Sequence, residues 1–268
     1  MLADYHIHTS FSSDSECPMA AMLQKAVDLG LEEVCITEHV DYFARGASHL
    51  CDYSAYIEEI ERLKIKFKDQ IIIKCGMEFG VQLGVLERYE RDVARYDFDF
   101  VILSNHQVAD LEFWNNGYQK GKTQQEYNRG YYQAIKDVMD CYKSYSVLGH
   151  LDMIKRYDAA GILADAYNED IIKCILKTAI ADGKGIEVNT SCFRYGLPGL
   201  TPSYQILNWY YEAGGRIITI GSDSHQACDV GDHIRYAQEE LKKIGFTEFA
   251  TFDKMKPVFH PLKQAVIP

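Results

Sequence analysis

Several absences narrow the reading of this chain before any motif is considered. There is no C-x-x-C pair: Cys17, Cys35, Cys51, Cys75, Cys141, Cys174, Cys192 and Cys228 are scattered. That excludes a zinc ribbon or a thioredoxin-type motif and leaves reduced thiols as the expectation. No apolar run approaches the roughly 20 residues of a membrane span, and no basic leader with an apolar signal core follows Met1. A cytoplasmic location is therefore expected. Positive charge is also scarce: 28 Lys and Arg against 39 Asp and Glu leave a net charge of −11. This disfavours a nonspecific hold on nucleic acid or an anionic membrane.

What is present is a rhythm. Short apolar runs at 2–8, 32–39, 70–79, 98–106, 145–150, 184–190 and 215–225 read as strands. Amphipathic stretches at 18–30 and near 53–68, 82–95, 122–145, 167–182, 203–213 and 233–244 read as helices. Such alternation implies parallel strands with right-handed crossovers. No Gly-rich phosphate loop follows the first strand, so a barrel is favoured over an open dinucleotide-type sheet. With 47% apolar residues in 268 the chain can bury a large core. No linker interrupts the pattern, so one domain over 1–268 is expected. Its 19 tyrosines and 12 phenylalanines are read as packing rather than a base-stacking platform. The long loops at 41–52, 107–121 and 151–166 are the natural places for function.

The histidines are placed unevenly. In "DYHIHTS" a strand would turn His6 and His8 to one face. Such a pair alone is as well explained by ordinary backbone hydrogen bonds as by metal binding. The other strands, however, also end in candidate ligands: His39, Glu78, His106, His150, then Asp223 and His225, with Asp14 just beyond the first. In a parallel barrel these ends open on one face, where active sites are built. Imidazole and carboxylate donors suit Zn, Mn or Fe, and nine candidates exceed the needs of one ion.

Taken together, "HIHTSFSSD" (6–14), "TEH" (37–39), "GMEFG" (76–80), "SNH" (104–106), "GHLD" (149–152), "EVNTS" (187–191) and "GSDSH" (221–225) resemble the PHP superfamily, named for polymerase and histidinol phosphatase. The resemblance implies a distorted (β/α)7 TIM-like barrel of the PHP fold and a centre of two or three divalent ions. It implies one ion on His6, His8, Glu78 and Asp223, a second on Glu78, His106 and His150, and a third on Asp14, His39 and His225. Asp at position 14, where many members carry His, resembles the stand-alone histidinol-phosphate phosphatases.

Clustered divalent ions generate hydroxide near neutral pH and brace the oxygens of an in-line displacement, which suits phosphate esters. Arg156 and Arg194, in loops after the fifth and sixth strands, are expected to grip phosphate. Glu78, Asp223 and His225 are the catalytic candidates, with Asp223 or His225 as the general acid. The expected reaction, on the strength of the resemblance, is hydrolysis of L-histidinol phosphate in histidine biosynthesis. The alternatives are a PHP phosphoesterase acting on a nucleotide or phosphotyrosine, and a non-catalytic metal-binding barrel. Asp152 and Glu38 could orient imidazoles; Asn189 reads as a lining residue or turn former. Lys155 is expected to be solvated, His233 to start a helix or lie on the surface, and His49 and His260 sit in no motif.

Overall fold

Short apolar strands buried on both faces pair in parallel, and helices with a single apolar stripe cover them. The computed structural model, which describes residues 1–262, has this arrangement. The strands are β1 (Ala3–Ile7), β2 (Glu33–Val40), β3 (Ile72–Gly80), β4 (Phe100–Ser104), β5 (Gln107–Val108), β6 (Leu111–Glu112), β7 (Val147–Leu148), β8 (Gly185–Asn189), β9 (Ile218–Gly221), β10 (Glu248–Asp253) and β11 (Lys256–Pro261). Seven of them form one sheet in the order β1-β2-β3-β4-β7-β8-β9, every pair parallel. Just past β9 the chain returns to β1: His8 N donates to Ser224 O at 2.9 Å, and Ser224 N to His6 O at 3.3 Å. The sheet thereby curls almost to closure, and the fold is an α/β barrel of seven strands.

The covering helices are α1 (Met19–Asp28), α2 (Tyr53–Lys66), α3 (Leu86–Arg95), α4 (Gln124–Cys141), α5 (Glu169–Ala181), α6 (Tyr204–Glu212) and α7 (Ile234–Ile244). In α1 the buried residues Met19, Met22, Leu23 and Ala26 fall on one helical stripe. α4 starts at a capping box in which Thr123 and Glu126 satisfy each other's backbone N–H groups. The aromatic residues do pack the interior: Tyr5, Tyr56, Tyr89, Tyr131 and Phe100 are fully buried. Tyr56 donates its hydroxyl to Ile36 O and Gly76 O at 2.9 Å, and Tyr89 donates to Gly80 O at 2.7 Å. No helix among the described residues is long and apolar enough to cross a membrane.

Three features differ from the sequence reading, the first being the short antiparallel hairpin β5–β6 where 107–121 reads as a loop. The antiparallel pair β10–β11 was not expected; it closes the barrel end opposite the site, with Phe252 against Phe100 and Met255 N donating to Asp99 O at 2.8 Å. The strands read at 145–150 and 215–225 are also shorter than expected. The chain leaves the ladder at His150 (φ 20°) and Asp223 (φ 54°), both in positive-φ backbone that a regular strand does not contain. The expected domain of 1–268 includes 263–268, which lie outside the described residues.

Candidate metal centre

Side chains two apart on a strand share a face, and the rings of His6 and His8 stand 4.9 Å apart. The parallel register then brings the ends of β2, β3, β4, β7 and β9 around them. Glu78, fully buried, is the hub. Its Oε2 lies 3.0 Å from His6 Nε2, 3.3 Å from His8 Nε2 and 3.0 Å from His39 Nδ1. Its Oε1 lies 2.8 Å from His150 Nε2 and 3.3 Å from His106 Nε2. Asp223 Oδ1 is 3.7 Å and 3.5 Å from the Nε2 atoms of His6 and His8. Asp14, on the loop after β1, has Oδ2 3.4 Å from His39 Nε2 and 3.1 Å from His225 Nε2. All nine expected ligands thus meet at one end of the barrel.

These residues fit a divalent ion on two counts. Donors about 2.0–2.1 Å from a tetrahedral ion lie about 3.3 Å from one another, and the Nε2 atoms of His6 and His8 lie 3.0–3.7 Å from the facing oxygens of Glu78 and Asp223. Moreover, His6 Nε2, His8 Nε2, His39 Nδ1 and Glu78 Oε2 are buried without a hydrogen-bond partner. Proteins rarely leave buried polar atoms so.

The electrostatics agree. Burial first, then His39 and His225, hold His8 well below its ordinary pKa, so it is a neutral donor. Burial opposes ionisation of Glu78, but His6, His39 and His106 hold it well below the carboxylate range. Burial likewise works against charge on His106, yet Asp41 and Glu78 push it up to about 10. Buried carboxylates facing this many imidazoles favour positive charge at their centre, which a divalent cation would supply.

Further carboxylates aim the rings, and the sequence reading missed two of them. Glu187 sets Oε1 2.5 Å from His6 Nδ1 and accepts from His150 N at 2.8 Å through Oε2. Asp41 Oδ1 sits 3.0 Å from His106 Nδ1. Both depend on bare glycines: a Cβ on Gly221 would lie 2.5 Å from Glu187 Oε1, and one on Gly80 only 1.8 Å from Asp41 Oδ1. Glu38 accepts from Thr9 Oγ1 and Ser12 Oγ, both at 2.5 Å, while Ser12 Oγ lies 3.3 Å from His8 Nδ1. It therefore acts on the ring through the loop.

Above the cluster opens a cavity of about 440 Å³, walled by Asp14, His225, Arg156, Tyr157, Tyr195, Trp114 and Glu112, among others. The guanidinium of Arg156 is buried, its Nη2 donating to Ser191 Oγ (2.7 Å), Asn189 Oδ1 (3.1 Å) and Asp223 Oδ2 (3.2 Å). Arg194 is placed differently from expectation. Its Nη2 donates to the carbonyls of Ser222 (2.7 Å) and Asp223 (2.6 Å), so it braces the Asp223 loop and does not line the cavity. Lys155 is corrected outright: it is 8% exposed and pairs with Asp152 and Asp165, each at 2.7 Å. Asp152 accordingly serves this lysine rather than an imidazole. Asn189 both caps a turn, accepting from Ser191 N, and holds Arg156. His49 reaches the cavity mouth, 3.3 Å from Ser13 Oγ and 3.6 Å from Glu112. His233 precedes α7, stacked on Phe193, and His260 meets Thr251 on β10.

The family model of the PHP domain matches residues 4–191. The chain belongs to the PHP family. Among its PHP relatives, the histidinol-phosphatase of Lactococcus lactis is 36% identical over 94% of this chain and 95% of that protein. A probable histidinol-phosphatase of Thermotoga maritima is 31% identical over 96% and 98%. The crystal structure of the L. lactis histidinol phosphate phosphatase, complexed with zinc, L-histidinol and phosphate, superposes with a TM-score of 0.87 at 34% identity, covering 96% of this chain and 98% of that one. A Listeria monocytogenes putative histidinol phosphatase, at 19% identity and a TM-score of 0.74 over 86% and 97% of the two chains, shares the PHP fold.

Proposed function

We propose that this PHP chain, acting as one catalytic domain, is a histidinol-phosphatase: it hydrolyses L-histidinol phosphate to L-histidinol and phosphate, a step of histidine biosynthesis. The observation that carries this reading is the cluster of nine ligand residues beneath the Arg156 cavity, in a chain alike over nearly its whole length to an enzyme seen with zinc and both products.

We assign His6, His8, Glu78 and Asp223 to one divalent ion, Glu78, His106 and His150 to a second, and Asp14, His39 and His225 to a third. Zinc is suggested by the L. lactis structure; manganese and iron suit the same nitrogen and oxygen donors. Such ions supply Lewis acidity and positive charge for in-line displacement at phosphorus. The remaining work falls to the chain. Glu78 faces both groups of imidazoles with separate oxygens and so fixes their spacing. Arg156 offers its guanidinium to the phosphoryl oxygens, aligned with the cluster by Asp223. Arg194 keeps the Asp223 loop in register beneath the phosphate. Both oxygens of Asp223 are engaged, so with two ions bound, when no third ion takes its Nε2, His225, the most open of the six clustered histidines at 27% exposure, passes a proton from Nε2 to the departing alkoxide.

The test is phosphate release from L-histidinol phosphate against a panel of nucleotides, other phosphomonoesters and a phosphotyrosyl peptide, with metal content measured on the same sample. A large kcat/KM preference for L-histidinol phosphate is expected. A fully metallated sample that ignores it and cleaves another ester overturns the substrate.

A further inference from the structure

A lysine is seldom buried without a task, because its ammonium must be taken from water and paired. Lys155 sits directly before Arg156 in a tight turn over Met153–Tyr157. Its Nζ lies 2.7 Å from Asp152 Oδ2 and 2.7 Å from Asp165 Oδ1. The remaining Asp165 oxygen, Oδ2, accepts from Ser203 Oγ at 2.6 Å, and Ser203 N donates back to Asp152 Oδ2 at 3.0 Å. The four side chains and one amide thus close a ring. That ring joins three stretches distant in sequence: the turn after β7, the segment before α5, and the start of α6.

The ring also reaches Arg156 from the other side. Two residues before Ser203, Thr201 O accepts from Asn189 N at 2.7 Å, and Asn189 Oδ1 takes the Arg156 guanidinium. Arg156 is therefore held at its head by Asn189, Ser191 and Asp223, and at its root by the backbone that Lys155 pins. Replacing a buried ion pair with apolar groups is often neutral for stability, so stability alone does not account for a closed ring of charges at this place.

We propose that Lys155 is a positioning residue for the phosphate group: its ammonium, clamped between Asp152 and Asp165, fixes the turn that presents Arg156 to the phosphoryl oxygens. This rests on the phosphomonoester reading above. It acts through Arg156, not by touching substrate.

The test uses the full-length, zinc-loaded protein and two probes, L-histidinol phosphate for turnover and inorganic phosphate alone for competitive inhibition. Lys155→Met is expected to raise KM and the phosphate inhibition constant together by about tenfold, with kcat within about threefold and metal content unchanged. Lys155→Arg, which keeps the charge, is expected to recover most of the loss. In an Arg156→Met background, Lys155→Met is expected to add less than about a further twofold, since its route of action is already gone. Should Lys155→Met fold poorly, Asp165→Asn keeps the Asp152 pair and weakens the ring; its expected effect is the same paired rise, of about threefold. A folded variant with unchanged phosphate inhibition, or losses that multiply in the Arg156→Met background, overturns the proposal. If the parent protein instead releases no phosphate from L-histidinol phosphate, the substrate reading fails, while inhibition by inorganic phosphate of whatever ester is cleaved still judges Lys155.

Discussion

Glu187 shows how much of the centre depends on single contacts. It is buried, fixes the ring of His6 through Nδ1 and holds the backbone of His150, so one carboxylate orients candidate ligands from two strands. A charged acceptor behind a ligating imidazole raises its basicity and sets its tautomer, and loss of such a partner costs about 10–100-fold in metal affinity. Glu187→Gln should therefore retain the fold and bind zinc about 10–100-fold more weakly, read by chelator competition. Removing a ligand itself is more severe. Glu78→Ala or His150→Ala should abolish turnover, with far-ultraviolet circular dichroism close to that of the parent; full activity in a metal-verified variant would refute the assignment. Eight of the nine candidate ligands were legible in the sequence because each lies at or just past the C-terminal end of a strand, and Asp14 was read from the loop that follows β1. Glu187 and Asp41 were not, since a carboxylate that pairs with a histidine 181 residues away leaves no local pattern. Lys155 was misjudged for a related reason: nothing in "MIKRYD" announces Asp165 as its second partner.

At the scale of elements, the parallel strands were legible because they are buried on both faces, and continuous apolar runs betray that. Both hairpins were missed, for one physical cause. Each turns through two residues with positive φ, Ala109 (52°) and Asp110 (63°) between β5 and β6, and Lys254 (47°) and Met255 (63°) between β10 and β11. Such turns usually announce themselves with Asn-Gly or Asp-Gly. Here tertiary contacts hold residues that dislike the geometry: Asp110 accepts from the amides of Ala44 (2.8 Å) and Arg45 (2.9 Å) and from Gln82 (2.7 Å), tying β5–β6 to the 41–52 loop. A left-handed conformation costs an L-residue about 1–2 kcal/mol. Ala109→Gly should therefore stabilise the protein by about 1 kcal/mol, offset in part by glycine's extra freedom when unfolded, and raise Tm by about 2 °C at fixed zinc. A lower Tm would show that the turn is not strained.

Taken as a whole, the barrel divides its stability between two ends. One is a conventional interior, where β10–β11 seals aromatic packing around Tyr5, Phe100 and Phe252. The other is a polar cluster in which Glu78 and Asp223 are buried among imidazoles, and the facing nitrogens of His6, His8 and His39 lack hydrogen-bond partners. Desolvating such groups is costly unless something compensates them. A cation that binds only the folded chain supplies that compensation, worth about 2.7 kcal/mol when its concentration is 100 times its Kd. Stripping metal with a chelator should lower Tm in proportion to the free zinc removed, and add-back should restore both Tm and turnover. The apolar end does not depend on the ion, so the stripped protein should keep its helical circular dichroism at 25 °C. The loss should instead appear as faster amide exchange confined to the strand ends and loops around His6, Glu78 and Asp223. Exchange that quickened equally at β10–β11 would mean that the two ends are one cooperative unit and that the metal centre carries the whole fold.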